Sequence, residues 1–493
     1  MTDFQALAAE WETRKELLAY FQDKYADAPD VESEVQVKTL ETLLACLHEF
    51  GQKQIDFFLA LFQTSASSAT LPHPLYSPEY VFDVTQNQIG HDLDLFLRAG
   101  QQRLLPIAPQ NQVAADFRFT LQTADRIAWA SLEPAISSKL IAPATVFVYY
   151  EKSHSVRLIP YAPVALVGIP FGANGMERDL ATIVHEIGHY VASRRIQSPP
   201  TDPCTPAGSI DKLTQRPPIF ARRVALGAEP APAANALALS AGEEEIFADV
   251  YACLVGGPMT GFTMLDAMRR LPATRWMEDD GKHPLPLLRP RIYAATLRAM
   301  AGRAGQDLAD QLCAAACELD QATDGWLGGS LPPWLVFRPR TGAPLRLTWA
   351  LELITEAVHR LVDGEWVDGE WVDGELATLR PQGDKPNLLW TQAPFVMANT
   401  LRSIQTVADG LSATPPPLEA KQVAAQTHAS VSDSSWQIGA TGLEWDWELA
   451  RDGDVDAIAR LEQAGWNPWW LAVLSAGFWT TEGPGAGNPQ PPS

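Results

Sequence analysis

MERDLATIVHEIGHYVASRR, residues 176–195, decides how this chain is read. Leu180, Ile183, Val184, Ile187 and Val191 recur at the 3-4 spacing of a helix with one buried stripe. His185 and His189 lie off that stripe, beside Arg178 and Thr182. Residues four apart on a helix stand one turn apart on the same face, so both imidazoles can hold one metal ion, typically zinc. Glu186, next to the first histidine, is placed to take a proton from water at such an ion. Asn174 and Gly175 end a loop before the helix. Glu177 and Asp179 suit the positive end of its dipole, and Arg194 and Arg195 close the other end.

A catalytic zinc usually has three protein ligands and one open position, so a third ligand must come from elsewhere in the chain. ALSAGEEEIFADVYACLVGG, residues 238–257, gives a second helical pattern. Ile246, Val250 and Leu254 form its core stripe, with Cys253 at the border. Glu245 and Asp249 are four apart and share the other face. Glu245 is the candidate third ligand. Asp249 can accept the ring N–H of a ligand histidine, fixing its tautomer and raising its basicity. Glu243 and Glu244 are weaker candidates as ligands, since neither has an acid four residues on.

HEIGH followed by EIFAD resembles the gluzincin branch of the zincin metallopeptidases, whose pattern is HExxH and then ExxxD on a later helix. The resemblance runs over residues 140–300. It implies His185, His189 and Glu245 as zinc ligands, Glu186 as general base and Asp249 as the partner of a ligand histidine. The stretch between His189 and Glu245 fits a member with an inserted loop, and the extended HExxHxxGxxH pattern of metzincins is absent. The same letters also fit a polar helix with two solvated histidines, or a metal site kept for structure alone.

DGKHPLPLLRPRIY, residues 280–293, resembles a segment that follows the third ligand in several intracellular zincins. There the basic residues face or brace the cleft. His283, Arg289 and Arg291 thereby become candidates to steady the oxyanion formed when water attacks a carbonyl. Tyr251 and Tyr293 are phenolic alternatives, and His283 and Tyr251 are favoured. A Pro-rich turn with surface arginines fits this segment too. Upstream, TVFVYYEKSHSVRLIPYAPVALVGIPFG, residues 145–172, reads as three strands, with Lys152–Ser155 as a polar hairpin turn and His154 as a turn residue. An edge strand just before the metal helix can pair with an extended peptide, which suits a protease.

At 493 residues with 46% hydrophobic content, the chain can build two to four domains around a sizeable core. No apolar run approaches the length that spans a bilayer, and MTDFQALAAEWETRKE lacks the apolar stretch of a secretory signal. The five cysteines, at 46, 204, 253, 313 and 317, include no CxxC pair, so no disulfide framework is expected and a reducing cytoplasm is the default. Cys313 and Cys317 read as small core residues of an Ala-rich helix. The net charge of −22 disfavours nucleic-acid backbone binding, which needs a basic footprint.

Around the central domain the chain falls into further segments. Residues 1–65 read as a helical hairpin cap, from the 3-4 repeats of Trp11, Leu18 and Phe21 and of Leu40, Leu44 and Leu47. Residues 64–80 look like a linker, and 80–325 are expected to form the zincin-like domain. Within it, the Pro- and Ala-rich stretch 196–240 reads as a loop that can lie over the cleft, and Cys204 as a loop cysteine. Residues 326–404 read as accessory helices carrying VDGEWVDGEWVDGEL, residues 362–376, taken as a duplicated surface loop. Residues 405–435 read as a linker and 482–493 as a disordered tail. Residues 436–481 hold Trp436, Trp445, Trp447, Trp466, Trp469, Trp470 and Trp479, either a small domain core or an anchor for a protein partner.

The expectation is thus an α+β protein with a zincin-like domain, mainly helical at both ends, that hydrolyses peptide bonds with Zn2+, acting on a protein or peptide substrate and binding neither nucleic acid nor membrane. The rivals are a zincin-fold scaffold without turnover and a metal hydrolase acting on a non-peptide amide.

Overall fold

The computed structural model describes residues 4–26, 34–64, 78–104, 112–197 (without 160, 175 and 176), 243–326 (without 273–274 and 277–283), 334–336, 344–381 (without 368–369), 411 and 414–418. His283, the 198–242 stretch with Cys204, the 419–435 part of the linker, the Trp-rich segment and the tail lie outside the described residues. The architecture is mixed α and β, mostly helical, with one small three-stranded sheet. It divides into two compact units.

The first unit contains helices α1 (Phe4–Ala26), α2 (Glu34–Thr64) and α3 (Pro78–Leu104). The helical hairpin expected from the repeats is present: Trp11 and Leu18 of α1 are buried, as are Leu40, Leu44 and Leu47 of α2. The Trp11 indole N–H finds a partner in Gln52 at 3.0 Å, as a buried tryptophan requires. Residues 159–164 and 416–418 join this unit. Tyr161 donates to Asp92 at 2.9 Å, and the Leu418 backbone is held by Thr39 and Thr42. Helix α3 belongs here, although its sequence was read as the start of the catalytic domain.

The second unit is built around α4 (Gln112–Ser137) and the sheet β1 (Thr145–Glu151), β2 (Ser155–Arg157), β3 (Val164–Pro170). All of β1 and β3 is buried except their last residues, Glu151 and Pro170. That explains why their sequences are near-continuous apolar runs rather than alternations. Helix α4 is tied to β1 at two points: Asp125 accepts the Val148 N–H at 3.1 Å, and Tyr150 donates to the Phe117 carbonyl at 3.0 Å. The strand order is β1-β3-β2, with β3 antiparallel to β2 and Ser155 opposite Gly168. Residues 152–154 therefore do not close a hairpin of paired strands, as the polar turn suggested; β3 lies between the two strands they connect.

From β3 the chain passes through 3-10 turns at Phe171–Ala173 and Glu177–Thr182 into α5 (Ile183–Gln197). Helix α6 (Glu243–Gly256) packs on α5. Gly257, at φ 67°, a positive value that favours glycine, ends α6 with its N–H on the Cys253 carbonyl at 2.8 Å. Pro258 then opens α7 (Pro258–Arg269) at a position where no N–H is needed. Helices α8 (Arg289–Ala301), α9 (Gln306–Trp326) and α10 (Leu347–Val362) complete the core. The accessory helix foreseen over 346–362 is α10, and its Leu353, Ala357 and Val358 are part of that same core.

Strand pairs β4 (Trp334–Val336) with β5 (Pro344–Arg346) and β6 (Gly364–Val367) with β7 (Glu370–Asp373) are both antiparallel. The second pair is the WVDGE repeat, with Trp366 opposite Trp371. Two copies thus become two paired antiparallel strands. Cys313 and Cys317 are exposed on α9, not in the core; Leu312, Ala315, Ala316 and Leu319 form its buried stripe. No helix among the described residues is long and apolar enough to cross a membrane.

Candidate metal centre

Two helices carry the site, and one glycine lets them meet. The apolar stripe Leu180, Ile183, Val184, Ile187 and Val191 is buried, as is Ile246, Val250 and Leu254 on α6. A Cβ on Gly188 would stand 2.8 Å from Ala248 Cα and 2.9 Å from Ala248 O. These are backbone atoms and cannot step aside. Gly188 costs helix propensity and in return allows α5 and α6 to touch at the HEIGH–EIFAD junction. Gly188→Ala is expected to force the helices apart, lowering stability by roughly 1–3 kcal/mol. Thermal melts check this; an unchanged melting temperature would sink the packing account.

His185, His189 and Glu245 come together as a group able to hold a metal ion. His185 Nε2 and His189 Nε2 are 3.1 Å apart. His185 Nε2 lies 3.3 Å from Glu245 Oε2, and His189 Nε2 lies 3.2 Å from Glu245 Oε1. A tetrahedral ion with bonds of about 2.0 Å to N and O has donor–donor edges of about 3.3 Å. The two rings approach different oxygens of Glu245, and one donor atom from each of the three side chains lies within 4.8 Å of the others, close enough for all three to reach one such ion. Neutral imidazoles that turn lone pairs toward each other and toward a carboxylate repel one another, so the arrangement needs a cation at its centre, either protons or a metal.

Both rings are oriented by carboxylates behind them. Asp249 Oδ1 accepts from His185 Nδ1 at 2.9 Å, and Glu244 Oε1 accepts from His189 Nδ1 at 3.0 Å. Both tautomers thus leave Nε2 free to ligate. The Asp249 role was foreseen; Glu244, set aside as a ligand, holds the second histidine. Its position one residue before Glu245 is the only sequence signal it had. Asp249 is fully buried and also receives Arg289 Nη2 at 2.7 Å, Arg289 Nε at 3.0 Å and the Tyr293 hydroxyl at 2.9 Å.

The charges follow. Burial and the neighbouring Arg289 oppose a proton on His185, but Asp249 and Glu245 outweigh them and raise its pKa. His189 is likewise opposed by burial, yet Glu244 and Glu245 push it up to about 10. Burial raises the Glu245 carboxyl, and the two histidines override it, holding it far below the usual range. Without a metal, the imidazoles carry protons that a metal ion must displace.

The triad opens into a cleft of about 450 Å³. Glu186, only 9% exposed, lines it beside His185. Arg289 also lines it, the one oxyanion candidate among the described residues that does so. Its Nη2 is 3.1 Å from His185 Nε2 and 3.3 Å from His185 Nδ1.

Tyr251 is not at the site. Its hydroxyl donates to the Ser131 carbonyl on α4, and the side chain is fully buried between helices, where burial raises the phenol pKa. Tyr293 is occupied by Asp249, and Arg291 pairs with Asp320 and Asp324 on α9. His154, read as a mere turn residue, lines the cleft.

No family model matches the chain, and neither a curated protein nor a solved structure similar to it was found.

Proposed function

We propose that this chain is a zinc-dependent peptidase of zincin type, hydrolysing peptide bonds in a protein or peptide substrate. The observation that carries this reading is the group of His185, His189 and Glu245, whose ligating atoms lie within 4.8 Å of one another, lining the same cleft as Glu186. A structural site does not need that fourth, non-ligating carboxylate. The donor set of two imidazole nitrogens and one carboxylate found among the described residues suits zinc with an open position.

Bound zinc supplies a Lewis acid that acidifies water and polarises a carbonyl. The remaining work belongs to the protein. Glu186 takes a proton from the attacking water on its carboxylate and passes it to the leaving amine nitrogen. Asp249 and Glu244 keep the two imidazoles in the ligating tautomer. Arg289, clamped by Asp249, places a fixed positive charge in the cleft where negative charge develops on the carbonyl oxygen.

Two measurements test this together. Purified protein is expected to hold one zinc per chain, with release of protons on uptake, and to lose it in His185→Ala and Glu245→Ala. Fluorescein-labelled β-casein, an unfolded polypeptide, is expected to be cleaved by the zinc-loaded protein, spared after chelation and cleaved again when zinc is restored. Absence of zinc would remove the hydrolase reading altogether. Zinc without casein cleavage would leave a scaffold or a hydrolase of non-peptide amides.

A further inference from the structure

One apolar wall of the cleft comes from a single helix. Met264, Ala267 and Met268 of α7 line it together with the ligand group and Glu186. Their spacing, i, i+3 and i+4, puts all three on one face of the helix. Met264 is buried, at 7% exposure, whereas Ala267 and Met268 keep part of their surface accessible. Met268 also packs against the core cluster. The wall therefore has an anchored base and an accessible outer part beside the metal group.

The charges near this wall are already engaged with one another. Arg270, at the end of α7, is held by Asp266 at 2.6 Å and by Asp179, which also lines the cleft, at 3.3 Å. Arg289 is clamped by Asp249, and Glu245 belongs to the ligand group. A charged side chain laid on α7 would give up water for thioether and methyl groups, which costs free energy unless a partner compensates. A large apolar side chain gains on the same surface, because it leaves water without losing a hydrogen bond. Methionine is unbranched and polarisable, so it adapts to ligands of different shape and makes favourable contacts with aromatic rings. The wall thus sorts by polarity and size more than by exact outline.

We propose that Met264, Ala267 and Met268 form the specificity surface of the site, taking a large apolar side chain of a polypeptide whose scissile bond lies at the metal group. This rests on the peptidase reading. It adds a substrate class: segments with Leu, Met or Phe beside the cut. Such residues are mostly buried in folded proteins, so the substrates are unfolded chains and free peptides. Met268, accessible and in the lining, is the residue through which the preference can be changed.

The test uses zinc-loaded full-length protein. Fragments of digested β-casein are identified by mass spectrometry, and the segment cleaved most is made as a peptide series in which the apolar residue beside the cut is Leu, Ala, Lys or Glu. The native protein is expected to cut casein next to Leu, Met and Phe, and to favour the Leu peptide at least tenfold in kcat/KM over the other three. Met268→Glu is expected to lose at least tenfold on the Leu peptide and to prefer the Lys peptide to the Glu peptide, with one zinc per chain retained. Met268→Ala, the milder change, is expected to lower the Leu-over-Ala ratio at least threefold while kcat/KM for the Ala peptide changes less than threefold. An unaltered Leu-over-Ala ratio in Met268→Ala would overturn the proposal, as would native cleavage that ignores the residues beside the cut. Failure of the zinc-loaded native protein to cleave casein would instead remove the peptidase reading, and this proposal with it.

Discussion

Glu186→Gln is expected to abolish peptide hydrolysis while leaving zinc in place. The substitution keeps size and shape but removes the ability to take a proton, and loss of a general base costs roughly 10²–10⁴-fold in rate. Zinc should stay because Glu186 is not among the three donors and neither histidine relies on it for orientation: Asp249 and Glu244 serve that purpose. The carboxylate does contribute negative charge near His189, so removing it should weaken zinc binding only modestly. Single-turnover cleavage of labelled casein, with metal content measured on the same sample, decides the matter. Full activity in the variant would eliminate the water-activating mechanism. Lost activity together with lost zinc would show that Glu186 holds the site instead of acting in it. A scaffold that never turns over predicts a third result, in which native protein and variant are equally inactive.

How much of this was legible in the sequence depends on whether an interaction is local. The triad was readable because His185 and His189 share a helical face by spacing alone, and Glu245 and Asp249 repeat that spacing off a second apolar stripe. Periodicity also revealed the helical hairpin of α1 and α2 and the three strands of the sheet. What failed was long-range. Nothing in the letters 151–170 says that β3 inserts between β1 and β2. Tyr251 and Glu244 show the same limit. Tyr251 lies near the ligand in sequence, but it points to Ser131, whereas Glu244, set aside because it lacked a partner four residues on, reaches across to His189 on the other helix. Arg289 and Arg291 are two apart, which on a helix directs them to different faces: one enters the cleft, and the other binds α9. The likeness of the HP–Arg segment pointed to both and could not choose between them. His154 carried no signal of its place in the cleft lining, because that wall is built by elements far along the chain.

The Asp249 carboxylate is the second place where a single change should have a large effect. It is fully buried and accepts from His185, from Arg289 twice and from Tyr293. Burial alone would raise its pKa, but Arg289 and His185 reverse this and hold it below the usual carboxylate value. Its stabilising charge is therefore present above about pH 4 and is lost as pH falls through the depressed folded value. Asp249→Asn turns one acceptor oxygen into a donor facing Arg289 and leaves that buried guanidinium with only the more distant Glu245 carboxylate, at 3.4 Å, as a counter-ion. Breaking a buried pair in this way costs roughly 3–5 kcal/mol, a large part of the 5–15 kcal/mol that holds a domain together. Zinc affinity should also fall about 10–100-fold, because His185 loses the group that fixes its tautomer. The two losses have separate causes and can be pulled apart. Arg289→Met in the Asp249→Asn background removes the stranded charge and is expected to recover much of the stability, yet zinc affinity should remain low. Urea denaturation and zinc competition on the single and double variants measure each loss. If Asp249→Asn were as stable as the parent, the buried pair would not be holding the site. If the double variant regained zinc affinity along with stability, the carboxylate would act on the metal only through the fold.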